Sequence, residues 1–447
     1  MDNCLSSIYI GYIEFSISNG YLLTSPCTNQ DRITTNKKID IKELHISNKK
    51  LTNLIGIESF INLIKLKINN LSIKNLINIK TLINLKELTV TDIDLTSLFG
   101  IESLVKLEYL TISGCQLISL SGINSLVNLT FLNVNNNKIT SINNIGTLVN
   151  LTELYISFNR LTTFIGIGQF SNLKILVCHS SQLTSVSGIE LLINLEKLHI
   201  SNNKLINLTG IEHLINLKTL NIAGNGLTSI AGIESLVNLT DLDISNNNLT
   251  SITDIEPLTK LEILTCYINQ LTSFVGIEQL TNLKELDSSS NKLTSLQSIS
   301  YLVNLTKLYI DSNCLTSLNG IEPLINLIDL SISKNRLTSI TGVTRLVNLK
   351  ILDISRNKLK SVFQVNLLNN LRCAYCSENP ILPLDQVNLI KHIEKNKFNI
   401  YNYWQLSHKF PRHFKIAIFT ILKELLIVDF KKILMKNDNI RQNIWVI

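Results

Sequence analysis

Residues 227–248 read LTSIAGIESLVNLTDLDISNNN, and the chain repeats this 22-residue pattern along most of its 447 residues. With the phase set on the apolar residue that opens LxxLxI, copies begin at Ile41, Leu63, Leu85 and then every 22 residues to Leu349. Fifteen units therefore run from 41 to 370 without an insertion or deletion. A sixteenth, degenerate unit opens at Leu371 and dissolves near Leu384. One unit of this length cannot bury its own apolar face. A neighbour on each side can, so a fixed period of this kind predicts stacked repeats with a continuous core and a parallel sheet.

Each column of the repeat has a physical reason. Positions 1, 4 and 6 are apolar (Leu239, Leu242 and Ile244 in one copy), and the 4/6 alternation is that of a strand with one buried face. Position 9 is Asn in most copies from the fifth onward, from Asn137 to Asn379. A primary amide carries two donor hydrogens and an acceptor oxygen, so a buried Asn satisfies backbone groups left free where the chain turns off the strand. Stacked copies then form a ladder of amides. Position 16 is Gly in ten of the fifteen units, and Asn78, Asn144 and Asp254 fill three of the exceptions. Gly, Asn and Asp share tolerance of positive φ, so this column predicts a tight turn on the return path. Positions 11, 14, 17 and 20 (Leu249, Ile252, Ile255, Leu258) complete the inward set.

The resulting pattern, LxxLxIxxNxLTxIxGIExLxNL, is similar to the leucine-rich repeat in its short, SDS-like 22-residue form, which is also seen in bacterial internalins. The resemblance spans residues 41–384. It implies an α/β solenoid: a leucine-rich-repeat horseshoe with a parallel β-sheet on the concave face and turns or 3₁₀ segments on the convex side. Relatives of this kind are predominantly protein-binding modules. The early copies depart from the pattern. Lys49, Leu71 and Ile93 stand at position 9 and cannot replace a buried amide, so the first three turns are expected to be rearranged or looser. Cys115 is a family alternative there, and Ser181 keeps a hydrogen-bonding group.

Both ends of a solenoid need covers. Residues 1–40 hold two β-prone runs, IYIGYIEFSI and GYLLTS, and read as an N-terminal cap. Residues 385–400 place apolar side chains at 387, 390 and 393 behind Asp385 as N-cap, and read as a C-terminal capping helix. Residues 401–447 form a basic, aromatic, helical tail that holds both tryptophans, Trp404 and Trp445. Its helix starts at Pro411, and Phe414, Ile418, Ile421, Leu422 and Leu425 share one face. The tail is read either as extra helices on the solenoid end or as a docking element. FPRHFKIAIFTILKELLI loosely resembles F-box-like tails found after repeat arrays, which implies recruitment of ubiquitin-ligase components.

Composition narrows the function. The net charge is +7, of which residues 385–447 contribute +6, so the array itself is near neutral and lacks the basic face of a nucleic-acid reader. The first residues, MDNCLSSIYIGYIEF, make a poor secretory signal, and no apolar stretch is long enough to span a bilayer. Eight cysteines without disulfide-framework spacing point to a reducing, intracellular setting, cytoplasmic or nuclear. No nucleotide-binding, zinc-protease or serine-nucleophile motif occurs, so no enzyme, cofactor or metal is expected. Cys373 and Cys376 have CxxC form, but at positions 3 and 6 one thiol faces out and the other in. The histidines are dispersed, with His45, His179 and His199 expected to face outward on separate strands.

The candidate site is therefore a surface. Positions 3, 5, 7 and 8 are read as outward-facing on the strands. Copies four to six place Tyr109, Phe131, Tyr155 and Phe158 there, a candidate aromatic patch. Copies ten to fifteen place Asp241, Asp243, Glu285, Asp287, Asp311, Asp329 and Asp353 there, with Tyr267, Ile268 and Tyr309 among them. Such a face suits a basic protein partner and repels nucleic acid. The expectation is a non-enzymatic adaptor, and resemblance to the SDS-type class implies a serine/threonine phosphatase catalytic subunit as one partner. A ubiquitin-ligase substrate receptor and an internalin-like adhesin are the rival readings.

Overall fold

A computed structural model describes residues 7–10, 13–18, 21–26, 41–47, 53–143, 145–146 and 148–381, with the backbone alone described before residue 27. The chain forms two compact units, Met1–Lys292 and Leu293–Ile447. The first opens with an antiparallel meander of Ser7–Ile10, Ile13–Ser18 and Tyr21–Pro26, on the two β-prone runs of the sequence. It continues with one strand per repeat, from Glu43–Ser47 to Glu285–Asp287, all parallel. Registers are strict: Leu44 pairs with Leu66, and Leu198 with Leu220. The second unit adds parallel strands at Lys307–Tyr309, Asp329–Ser331, Ile351–Asp353 and Cys373–Tyr375. The expected helix at 385–400 and the tail at 401–447 lie outside the described residues.

The core follows the apolar columns. Leu239, Leu242, Ile244, Leu249, Ile252, Ile255 and Leu258 are all fully buried, and the other copies repeat this. After most strands the chain turns back through a short 3₁₀ segment such as Ile233–Ser235, and after Glu87–Thr91, Ile263–Thr265 and Lys307–Tyr309 it returns through turns alone. In nine of the ten repeats with Gly at position 16, as at Gly188 and Gly232, φ lies between 94° and 111°, which only glycine adopts freely. A glutamate two residues on completes the turn: Gly210 N–H donates to Glu212 and Gly232 N–H to Glu234, both at 2.7 Å. That bond is the reason for the recurrent Gly-Ile-Glu triplet. Asn78 and Asp254 depart from the expectation of positive φ at this column. Both lie inside right-handed 3₁₀ turns, Ile77–Ile79 and Thr253–Ile255, and Gly342 does likewise. Without a left-handed residue the turn simply starts earlier.

The amide ladder is present. Asn247 is typical: Nδ2 donates to the carbonyls of Ile244 (3.0 Å) and Ser245 (3.1 Å) and to Ile222 of the previous repeat (3.2 Å). Its Oδ1 accepts from Leu227 N–H at 3.0 Å. The residue before the amide takes up a second left-handed position. From Asn70 to Glu378 every residue at position 8 has positive φ, Phe158 and Ile268 included. A second, exposed ladder runs along position 22, where Asn128, Asn150 and Asn172 each donate to a carbonyl 23 residues earlier.

The early repeats are rearranged, one of the two expectations: Glu43–Ser47, Lys65–Asn69, Glu87–Thr91 and Tyr109–Ser113 are five residues long, whereas later strands have three. Leu71, Ile93 and Cys115 fill the amide slot as buried apolar groups. These repeats have no amide of their own at position 9, and in them the strand runs on to position 7. Lys49 lies outside the described residues.

Candidate functional site

The outer face of the strands is built by the side chains at positions 3, 5, 7 and 8, with position 7 covered in a few repeats. Ser157, Ser245 and Ser355, all at position 7, are buried, and Tyr267, Asp311 and His179 at the same position are half-buried. Position 7 is thus partly exposed in most repeats and buried where these three serines stand. From the fifth repeat onward the strands end at position 5, so position 7 lies beyond the strand there.

In the first unit the expected aromatic residues come together. Strand register places Tyr109 directly opposite Phe131, and Tyr155 lies diagonally across from Phe131. Ring centroids are 6.1 Å apart for Tyr109–Phe131 and 5.3 Å for Phe131–Tyr155, both tilted, within the range of favourable aromatic pairing. Tyr109 is 50% exposed and Phe158 49% exposed. Tyr155 donates its hydroxyl to Glu153 at 3.0 Å; burial, then that glutamate, raises its pKa.

The patch extends further than the sequence reading placed it. Val177 pairs with Tyr155, and His199 pairs with Val177. The His179 ring meets Phe158 edge-on at 4.9 Å. Both histidines are half-buried and their pKa values are lowered, His179 by burial and His199 by burial, then by Lys197 and His179. His199 Nε2 is buried with no hydrogen-bond partner. These rings are neutral near pH 7 and continue the apolar surface. The sequence signal for them was proximity in repeat coordinates, with His179 one repeat and His199 two repeats beyond Tyr155 and Phe158.

The acidic residues are spaced out rather than massed. Asp241 and Asp243 share one strand and Glu285 and Asp287 another, with Ile263 and Thr265 on the strand between. Like charges are therefore never directly opposite one another, which would be destabilising. Several carboxylates also serve the backbone. Asp243 Oδ1 accepts from Ser245 N–H (3.0 Å) and Ser245 hydroxyl (2.6 Å), and its Oδ2 accepts from Asn221 Nδ2 (3.0 Å). Asp287 accepts from Ser289 N–H, and Asp241 from the Thr240 hydroxyl. Tyr267 and exposed Ile268 follow on the neighbouring repeat.

In the second unit Asp353 accepts from Ser355 N–H and hydroxyl, and Asp311 from Ser331 hydroxyl and Ser333 N–H. Tyr309 donates its hydroxyl to Asp329 at 3.0 Å, and Lys307 stands opposite Asp329. Cys373 is half-buried and Cys376 buried, on opposite faces of the strand as positions 3 and 6 require. Among the described residues no cluster of metal-ligating side chains occurs, and no helix is long and apolar enough to cross a membrane.

Comparisons with known proteins agree with this architecture. The family model for leucine-rich repeats (two copies) matches residues 127–168 and 215–260. No curated protein matches the chain. Among solved structures, a leucine-rich-repeat protein of Leptospira interrogans is 31% identical, with a TM-score of 0.75 over 80% of this chain and 96% of its own. The Listeria monocytogenes internalin InlF is 26% identical, with a TM-score of 0.62 over 66% of this chain and 88% of its own. The functional domain of InlJ, from the same organism, is 25% identical, with a TM-score of 0.63 over 74% and 72%. The unbroken 22-residue period, the amide ladder and these likenesses together establish that the chain belongs to the leucine-rich-repeat proteins.

Proposed function

We propose that this chain is a non-enzymatic scaffold that binds a protein partner on the open strand face of its first unit. The observation that carries the reading is the run of rings Tyr109, Phe131 and Tyr155, held partly in water on adjacent strands. Exposed aromatic surface costs solubility, and aromatic anchors dominate binding energy at interfaces. Asp241, Asp243, Glu285 and Asp287, farther along the same face, favour a partner with basic side chains around an apolar anchor. A serine/threonine phosphatase catalytic subunit is one partner to test by name.

The experiment is capture of the partner on the full chain, followed by affinity measurement with Phe131→Ala/Tyr155→Ala and with Asp241→Lys/Asp287→Lys. The first pair is expected to weaken binding at least tenfold, and the second to slow association and flatten its salt dependence. Unchanged affinity in both variants, with unchanged melting, would sink the proposal.

The likeness to internalins favours a second reading, an adhesin displayed outside the cell. Biotinylation of intact host cells separates the two: labelling of the chain alongside surface markers supports the adhesin, and labelling only after lysis supports an intracellular adaptor.

A further inference from the structure

The first unit carries an apolar stripe away from the strand face. Position 21, in the loop that leads into each strand, holds Ile61, Ile83, Val105, Val127 and Val149 in five successive repeats. After Ser171 the column resumes with three more, from Ile193 to Val237. All eight side chains are 44–55% exposed. We infer that this flank is the interface by which two copies of the chain associate, stripe against stripe.

Three observations favour a second copy over other occupants. The first is period. The stripe is one residue wide and many repeats long, so only a partner with the same spacing stays in register along it. An α-helix presents apolar groups every ~5.4 Å against ~4.8 Å between strands, and slips by about half a repeat within four repeats. A second copy has the same spacing by construction, and a two-fold axis makes the contact self-complementary.

The second is dryness. The Asn ladder at position 22 closes off the backbone beside the stripe. Asn128 donates to Val105 O and Asn150 to Val127 O, both at 2.8 Å, and Asn172 to Val149 O at 2.7 Å. These carbonyls already have partners, so covering the stripe strands few polar groups.

The third is charge and area. The neighbouring position 2 carries internally matched ions, Lys86–Glu108 at 2.7 Å and Lys218–Glu196 at 2.6 Å, so the flank keeps only a small positive excess, from Lys106 and Lys174. Eight half-exposed Val and Ile side chains offer on the order of 600–700 Å² per copy, close to the ~800 Å² per partner of a standard interface.

The test is the solution mass of the full chain by light scattering and sedimentation from about 1 to 100 µM. Twice the chain mass is expected for the unmodified protein, and a single-chain mass for Val105→Glu/Val127→Glu/Val149→Glu. A Phe99→Glu/Ile165→Glu variant, altering exposed apolar residues of another column, is expected to stay dimeric. Should the glutamates disturb folding, the near-isosteric Val105→Thr/Val127→Thr/Val149→Thr variant decides, with dimer dissociation at least tenfold easier. A monomeric unmodified chain at 100 µM, a threonine variant as tightly dimeric as the original, or equal loss in the Phe99/Ile165 control would overturn the inference.

Discussion

The side-chain oxygen of Asn247 accepts a hydrogen bond from the backbone N–H of Leu227, one repeat earlier, at 3.0 Å, and from Gly226 N–H at 2.9 Å. Asn247→Ala leaves those donors, and the carbonyls served by Nδ2, buried without partners. We expect a loss of about 2–3 kcal/mol in urea unfolding. Asn247→Asp keeps the acceptor and loses the donors, so it too should be less stable than the original. A loss under about 0.5 kcal/mol for the alanine variant would show that water replaces the amide.

Two turn glycines should respond differently to a methyl group. Gly188 and Gly210 have nearly the same φ, 100° and 103°. A Cβ on Gly188 would sit 2.6 Å from the Phe164 carbonyl oxygen, whereas on Gly210 the nearest atom is Glu190 Oε2 at 3.4 Å. Both alanine variants should be destabilised by the left-handed backbone, about 1 kcal/mol, with Gly188→Ala worse by about another 1–2 kcal/mol. Equal melting temperatures for the two would contradict the close approach at Gly188.

Ile268 is a β-branched residue held at φ 54° with its side chain 48% exposed. Asparagine tolerates that conformation far better, so Ile268→Asn should raise stability by about 1 kcal/mol. A drop instead would mean that the isoleucine makes contacts worth more than its strain.

Cys178, Cys266 and Cys376 fill apolar slots at position 6, and burial pushes each thiol up to about 12. The folded state therefore holds these protons while the unfolded chain releases them near 9. Their contribution to stability is fully present below about pH 9 and is lost as the pH rises through about 12. Thiol labelling at pH 8 followed by peptide mapping should modify Cys314 and Cys373 well before these three. Early labelling of Cys266 would show that the sheet opens locally.

The core was legible because burial writes a period into the sequence, and Leu, Ile and Asn mark seven inward columns and one ladder. Position 8 was not legible. Its backbone is imposed by the bends on either side of it, so Phe158, Lys334 and Arg356 adopt the same left-handed φ as Asn136. The turn at Asn78 was misread for a related reason: tolerance of positive φ does not compel it. Tyr109, Phe131 and Tyr155 could be brought together on paper once the repeat was in phase, since neighbours in the column are neighbours in space. The buried serines Ser157, Ser245 and Ser355 and the Asp–Ser bonds at Asp243 and Asp353 could not, because they depend on where a three-residue strand stops.

Most bonds between repeats join residues 20 to 25 positions apart, as from Asn247 to Leu227 and to Ile222, or from Asn238 to Ile215. Each such pair is renewed when a block of 22 residues is added or removed between them, and broken by a block of any other size. Growth and shrinkage of this molecule are thus quantised. Its reach along the sheet changes only in whole steps, each bringing a new strand, a new amide and a new set of outer side chains.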